Sequence, residues 1–191
     1  MAEALQFDAE THRYTLGGRV LPSVTQILGL LERFEGVPPA VLEAAREFGS
    51  HVHMACDLDN RGVLDEAALD PALRPYLEGW RKFRRESGAE IIDSEFRVCH
   101  RALGYAGTAD VLAKWKGRPA LIDIKSGQVP RTVGPQVAAY AEALASPQIR
   151  RIARYCVQLL PNDYRVQALT DPSDWSIFLS CLNLLKWGLR T

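Results

Sequence analysis

The sequence predicts an α/β protein with a mixed central sheet flanked by helices. Three features of the 191-residue chain predict it. Residues 39–85 carry apolar positions at helical spacing; residues 91–125 change to the shorter period of strands; a helix, a strand pair and a last helix then close the chain.

The elements follow in order. Leu5–Asp8 and Tyr14–Leu16 read as strands, and Gly17-Gly18 turns the chain into Val20-Leu21. Ser23 with Gln26 three residues on is a capping box, so a helix starts at Val24. Gly36-Val37-Pro38-Pro39 breaks the chain. Pro39 suits a first helical turn, and Val41, Leu42, Ala45, Phe48, Val52 and Ala55 give the helix towards Asn60 an apolar stripe, with Gly62 its stop. Another helix covers Leu73 to Arg85 and ends at Ser87-Gly88. Ile91–Val98, Ala106–Trp115 and Pro119–Lys125 form an antiparallel meander, separated by Gly104 and by Lys116-Gly117-Arg118. Val133–Ala145 is a helix bracketed by Gly134-Pro135 and Ser146-Pro147. Ile152–Leu160 and Tyr164–Leu169 pair through Pro161-Asn162-Asp163, and the last helix runs from Asp171 or Ser173 to about Gly188. Residues 1–191 make one domain: a hairpin and helical part over 1–88, the sheet core with its helix over 89–170, and a terminal helix over 171–191.

A hydrophobic fraction of 47% and a charged fraction of 24% are ordinary for a globular protein. No apolar run approaches the ~20 residues that span a bilayer, and the acidic N-terminus lacks the pattern of a signal or transit peptide. A cytoplasmic protein without membrane partners is the expectation. Cys56, Cys99, Cys156 and Cys181 are scattered with no C-x-x-C pair, which argues for buried free thiols rather than a zinc ribbon. The net charge is zero but uneven: residues 1–70 hold 5 Lys and Arg against 12 Asp and Glu, whereas residues 97–131 hold 7 against 2. Positive charge around Asp110 and Asp123 favours a polyanion, and Arg81-Lys82-x-Arg84-Arg85 reads as a second basic patch.

Those two acids carry the chemistry. Asp123 interrupts the apolar run Ala120–Ile124, where an unpaired carboxylate is costly to desolvate. A bound divalent cation resolves that cost; a salt bridge to Lys125 is the non-catalytic resolution. Residues two apart on a strand share a face, so Asp123 and Lys125 project together while Ile124 turns into a core. With Asp110 on the neighbouring strand, two hard oxygen ligands beside one ammonium fit metal-dependent attack of water on a phosphodiester. An amine beside a metal is expected to have a lowered pKa. Gln136 and Tyr140, four apart, share one face of the following helix. Ser126-Gly127 is a tight turn that lets a DNA backbone approach, and Tyr105, Trp115 and Arg131 are candidate base-stacking or phosphate contacts.

The ordered set G-S-x-x-H (Gly49–His53), G-x-x-D (Gly107–Asp110), D-I-K-S-G (Asp123–Gly127) and Q-x-x-x-Y (Gln136–Tyr140) resembles the PD-(D/E)XK nuclease superfamily and its RecB-like exonuclease branch. The resemblance covers residues 49–140; the D-x-K triplet alone is weak, the ordered set far more specific. Ala109 stands where the superfamily name has proline. The run from His12-Arg13-Tyr14 through Pro22–Thr25 is more loosely similar to the entry segment of phage-type and mitochondrial-type exonucleases.

The resemblance implies a restriction-endonuclease-like αβββαβ core with an N-terminal helical extension. It implies a metal-dependent DNA exonuclease acting on ends or single strands in recombination, repair or phage DNA processing. Asp110, Asp123 and Lys125 would be catalytic, and His53, Asp110, Asp123 and the Ile124 carbonyl would hold Mg²⁺ or Mn²⁺. An imidazole ligand makes Mn²⁺ at least as suitable as Mg²⁺. Lys125 would hold the attacking water, stabilise phosphate charge or accept a proton. Gln136 and Tyr140 would contact phosphate or orient Lys125, with Ser126 and Arg131 at the substrate and Glu95 an accessory that positions the metal through water. No iron–sulfur cluster is expected, because the cysteine bunch of cluster-bearing relatives is missing. A catalytically weak or inactive DNA-binding scaffold, a structure-specific endonuclease and a nuclease acting on RNA are the alternatives. A helicase or recombination partner is compatible with each, and oligomeric state is not legible.

Overall fold

The computed structural model describes residues 3–31, 36, 38–145 and 151–189. The expected break at residues 36–39 and the bracket at Ser146-Pro147 fall in part or wholly outside them. A small antiparallel sheet comes first: β1 (Leu5–Asp8), β2 (Arg13–Leu16) and β3 (Arg19–Leu21). Helix α1 (Val24–Leu28) starts at the predicted capping box, with Gln26 N–H donating to Ser23 Oγ at 3.0 Å and Ser23 N–H to Gln26 Oε1 at 2.9 Å. A 3₁₀ turn over Gly29–Leu31 follows.

Helix α2 spans Pro39–Asn60 as its sequence predicts, but not with the packing expected. Val41 and Ala45 are exposed, and only Val52, Ala55 and Cys56 are fully buried. The first half of α2 therefore stands off the core and the second half enters it. Helix α3 (Arg74–Ser87) ends at Gly88, whose φ of 65° lets the chain leave in the left-handed conformation.

The main sheet holds five strands in the order β4 (Glu90–His100), β5 (Tyr105–Trp115), β6 (Arg118–Lys125), β7 (Ala153–Leu160) and β8 (Asp163–Ala168). The first three form the predicted antiparallel meander, β6 and β7 run parallel, and β8 returns antiparallel, so the sheet is mixed. Helix α4 (Val133–Leu144) makes the crossover and α5 (Asp174–Gly188) ends the chain. Gly134 and Pro135, expected to bracket α4, lie inside its first turn, where a proline costs no backbone hydrogen bond and Gly134 makes room for Asp174. Among the described residues no helix is long and apolar enough to cross a membrane.

Two apolar layers sandwich the sheet. Val111, Ala113, Trp115, Ile122 and Ile124 pack with residues of α2 and α3, while Tyr105, Ala109 and Leu121 pack with α1, α4 and α5. Strict alternation would put Tyr105, Ala109, Val111 and Ala113 on one face. The β5 face therefore switches between Ala109 and Val111, at Asp110. Across from it, Glu95 has a φ of 48°, a left-handed backbone within a strand. The switch turns the outer β4–β5 arm so that the β1–β3 sheet covers one of its sides, with Ala106 packed against Tyr14 and Leu21.

Candidate metal centre

The site sits at a fork. β5 and β6 pair from Val111↔Ile122 to Trp115↔Arg118 and then part. At the parting, Asp110 Oδ2 accepts the Ile124 N–H at 2.6 Å, supplying the partner that the ladder no longer gives. His53 enters from the buried half of α2, with Nε2 2.8 Å from the Ile124 carbonyl oxygen. Its Nδ1 lies 3.4 Å from Glu95 Oε1 and 3.6 Å from Asp110 Oδ2. One ligand atom from each of His53, Glu95 and Asp110 thus falls within 4.8 Å of the others.

The chemistry of this donor set decides whether a cation fits. When the ring proton of a neutral His53 is on Nε2 and given to Ile124, Nδ1 presents a lone pair to two carboxylate oxygens. Three acceptors converge with no donor among them, and a proton on Nδ1 or a metal ion satisfies them together. A ligating histidine held by a backbone carbonyl through its other nitrogen is the ordinary arrangement around a metal. Burial opposes charging of His53, but Asp110 and Glu95 overcome it and carry its pKa up to about 9. Two carboxylates and one imidazole suit Mn²⁺ and Mg²⁺, the imidazole favouring the former.

Asp123 and Lys125 stand alongside, 2.6 Å apart from Oδ2 to Nζ. Although the distance is that of an ion pair, neither Asp123 oxygen accepts a hydrogen bond of proper geometry, and the residue is 2% exposed. Burial, with Asp110 adding to it against the Lys125 charge, pushes the Asp123 pKa up to about 6. For Lys125 burial works to lower the pKa, but the neighbouring Asp123 and Asp110 carboxylates outweigh burial and raise it. The physical reason is that two carboxylates face the one amine.

The structure adds Glu95 to the group of converging ligand atoms. Glu95, expected as an accessory, lies within the cluster, aimed there by its left-handed backbone, a feature a β-strand pattern does not announce. Asp123 and the Ile124 carbonyl, expected as direct ligands, lie beside the cluster, Asp123 against Lys125 and the carbonyl against the His53 ring. Beneath the cluster Tyr140 is buried, its hydroxyl 3.5 Å from Gln136 Nε2. The Tyr140 ring passes so close to Gly107 that a β-carbon there would stand 2.7 Å from Cε1. Ser126 is half-buried at the loop after Lys125, near Gly49, and Gln158 holds that loop through a 2.8 Å bond to the Gly127 carbonyl. Arg131 is exposed and lines a separate cavity of about 700 Å³ between the 129–135 turn, the end of β8 and α5.

Three other expectations are corrected. Tyr105 and Trp115 are core residues, donating to the Ala139 and Ser87 carbonyls at 2.9 and 3.0 Å, and neither is open to a base. The basic run on α3 is not a free patch: Arg81 pairs with Asp59, Glu66 and Glu78, Arg84 with Asp59 and Lys82 with Asp163. No protein-family model matches this chain, and none of the curated proteins compared with it matches.

Proposed function

We propose that the chain is a metal-dependent phosphodiester hydrolase acting on DNA, an exonuclease of the RecB-like branch of the PD-(D/E)XK superfamily with the restriction-endonuclease-like core. The observation that carries this reading is the convergence of His53, Glu95 and Asp110 within 4.8 Å, with the Asp123–Lys125 pair beside them at the β5–β6 fork. The ordered motifs meet in space although up to 72 residues separate His53 from Lys125.

His53, Glu95 and Asp110 would hold Mn²⁺ or Mg²⁺, and Asp123, fully buried without a proper hydrogen-bond donor, is the next carboxylate available to it. The cation supplies Lewis-acid neutralisation of phosphoryl charge. Lys125, beside Asp123, orients the attacking water through its N–H groups and neutralises charge that grows on the phosphate. The Ile124 carbonyl fixes the His53 ring; Gln136 and Tyr140 set the polar surroundings of the acids from below; Ser126 lies where a phosphate would pass, with Arg131 further along that loop.

The test is digestion of end-labelled linear and circular single-stranded DNA with Mn²⁺ or Mg²⁺, by the wild type and by Asp123→Ala. Shortening of linear molecules with circles left intact, lost in the variant, is the expected result. DNA binding without cleavage under either metal points to a scaffold, cleaved circles to an endonuclease, and faster loss of RNA to a ribonuclease; each overturns the proposal.

A further inference from the structure

We propose that Arg97, seated on the ring of Phe7, forms a subsite for the phosphate next to the scissile one, so that the β1–β3 sheet helps to hold the substrate. This rests on the phosphodiesterase reading above and extends it to residues outside the motif set.

Arg97 lies on β4 two residues beyond Glu95, directly across from Thr108, which is two residues before Asp110. Two residues along a strand cover about 6–7 Å, on the scale of one nucleotide step. Cross-strand partners share a face, and the face is identified by its contacts: Thr108 Oγ1 is 2.8 Å from the hydroxyl of buried Tyr14. Tyr14 is the cross-strand partner of Phe7, with ring centroids 4.6 Å apart, and the Arg97 guanidinium carbon stands 5.1 Å above the Phe7 ring. The Ala106 N–H, donated to the Pro22 carbonyl at 3.1 Å, ties the small sheet to the same strand.

Three physical points turn this placement into a subsite. First, Arg97 is exposed and, among the described residues, pairs with no carboxylate, although Glu95 is two residues away. An arginine that ignores adjacent acids keeps its charge available for an anion. Second, the contact over the Phe7 ring, 5.1 Å from its centroid, consumes no oxygen acceptor, so the N–H groups that grip phosphate oxygens bidentately stay unspent. Third, the ring restrains a long side chain in advance, so less rotamer entropy is lost on binding. An internucleotide phosphate and a terminal phosphate present the same oxygens to that fork.

The experiment measures binding and cleavage by the full chain. Fluorescence anisotropy with Ca²⁺ in place of Mn²⁺ gives the affinity for a short single strand as a function of salt. Arg97→Gln is expected to weaken binding about tenfold and to lower the salt slope by about one phosphate contact, with an unchanged melting temperature. In cleavage, KM rises while kcat holds within about threefold. A methylphosphonate next to the scissile position should cost the wild type about the same factor and the variant nothing further; removal of a terminal phosphate is the parallel arm, and whichever loss the variant no longer feels names the source of the anion. Phe7→Leu, which keeps the charge and removes its seat, should give a smaller loss of the same kind. Wild-type affinity in Arg97→Gln, or losses that multiply with both modified substrates, overturns the subsite while leaving the hydrolase reading intact. A wild type that neither binds nor cleaves DNA overturns both.

Discussion

Two charged clusters in this molecule are built on opposite principles. Around α3, Asp59 accepts from Arg81 Nε at 2.9 Å and from Arg84 Nη1 at 2.9 Å, while Glu66 and Glu78 take the remaining Arg81 donors and Glu66 also faces Arg74. Three acids meet three arginines, and the charges balance. At the fork, Glu95, Asp110 and Asp123 face one lysine and one histidine, and a fully buried carboxylate is left without a proper donor. The first cluster staples α2 to α3. The second holds an excess of negative charge that a proton or a metal ion relieves. Satisfied valences belong to stability, unsatisfied ones to chemistry.

Breaking each cluster separates the two roles. Lys125→Ala or Asp110→Asn is expected to reduce DNA cleavage, followed by release of end label, at least about a hundredfold, with the melting temperature moved by only a few degrees. Asp59→Ala should do the reverse. Losing the acid that two partly exposed arginines share costs on the order of 2–3 kcal/mol, or about 5–10 °C for a domain of this size, while cleavage at 25 °C stays within about twofold. A melting curve that collapses in the first pair, or activity that collapses in Asp59→Ala, erases the contrast.

Metal sharpens it further. Mn²⁺ at about a hundred times its Kd should stabilise the fold by about 2.7 kcal/mol, read as a rise of about 5–10 °C in melting temperature, and the rise should vanish in His53→Ala. The pH dependence has a definite sign. His53 in the metal-free fold has its pKa raised from 6.5 to about 9, so its contribution is fully present below pH 6.5 and is lost as pH climbs through 9. Metal-free stability from this group therefore falls across that window, while apparent metal affinity, which needs the ring unprotonated, grows by up to about tenfold per pH unit. Calorimetric titration at pH 6.5 and 8.5 checks both.

Gly107→Ala tests the space that Tyr140 occupies. The added carbon meets the ring at 2.7 Å; overpacking of this kind costs about 1–3 kcal/mol, and cleavage should fall about tenfold as the ring is displaced from beneath the acids. The smallest effect belongs to Gln158→Leu. Loss of its 2.8 Å bond to Gly127 loosens the loop after Lys125 and is expected to cost about 1 kcal/mol of stability, with KM raised two- to threefold.

Much of this was legible in the sequence because it is local. The Ser23 capping box, the meander with its Lys116-Gly117 turn and the projection of Asp123 and Lys125 from one strand follow from spacings of one to four residues. Both Lys116 and Gly117 take positive φ, as a two-residue hairpin demands. What failed was non-local. The periodicity of α2 runs its whole length, yet burial begins only where α3 and the sheet reach it. The basic run of α3 announces a free patch until its acids arrive from α2 and the chain beyond it.

By itself the sequence determined the elements, their order and which acids and amine share the meander, since backbone sterics and side-chain period act between near neighbours. Only the tertiary structure decided that β5 turns over at Asp110, that Glu95 enters the cluster through a left-handed backbone and that Lys125 is held charged. Those outcomes depend on burial and on electric fields summed over residues far apart in the chain, and neither quantity exists until the chain has folded.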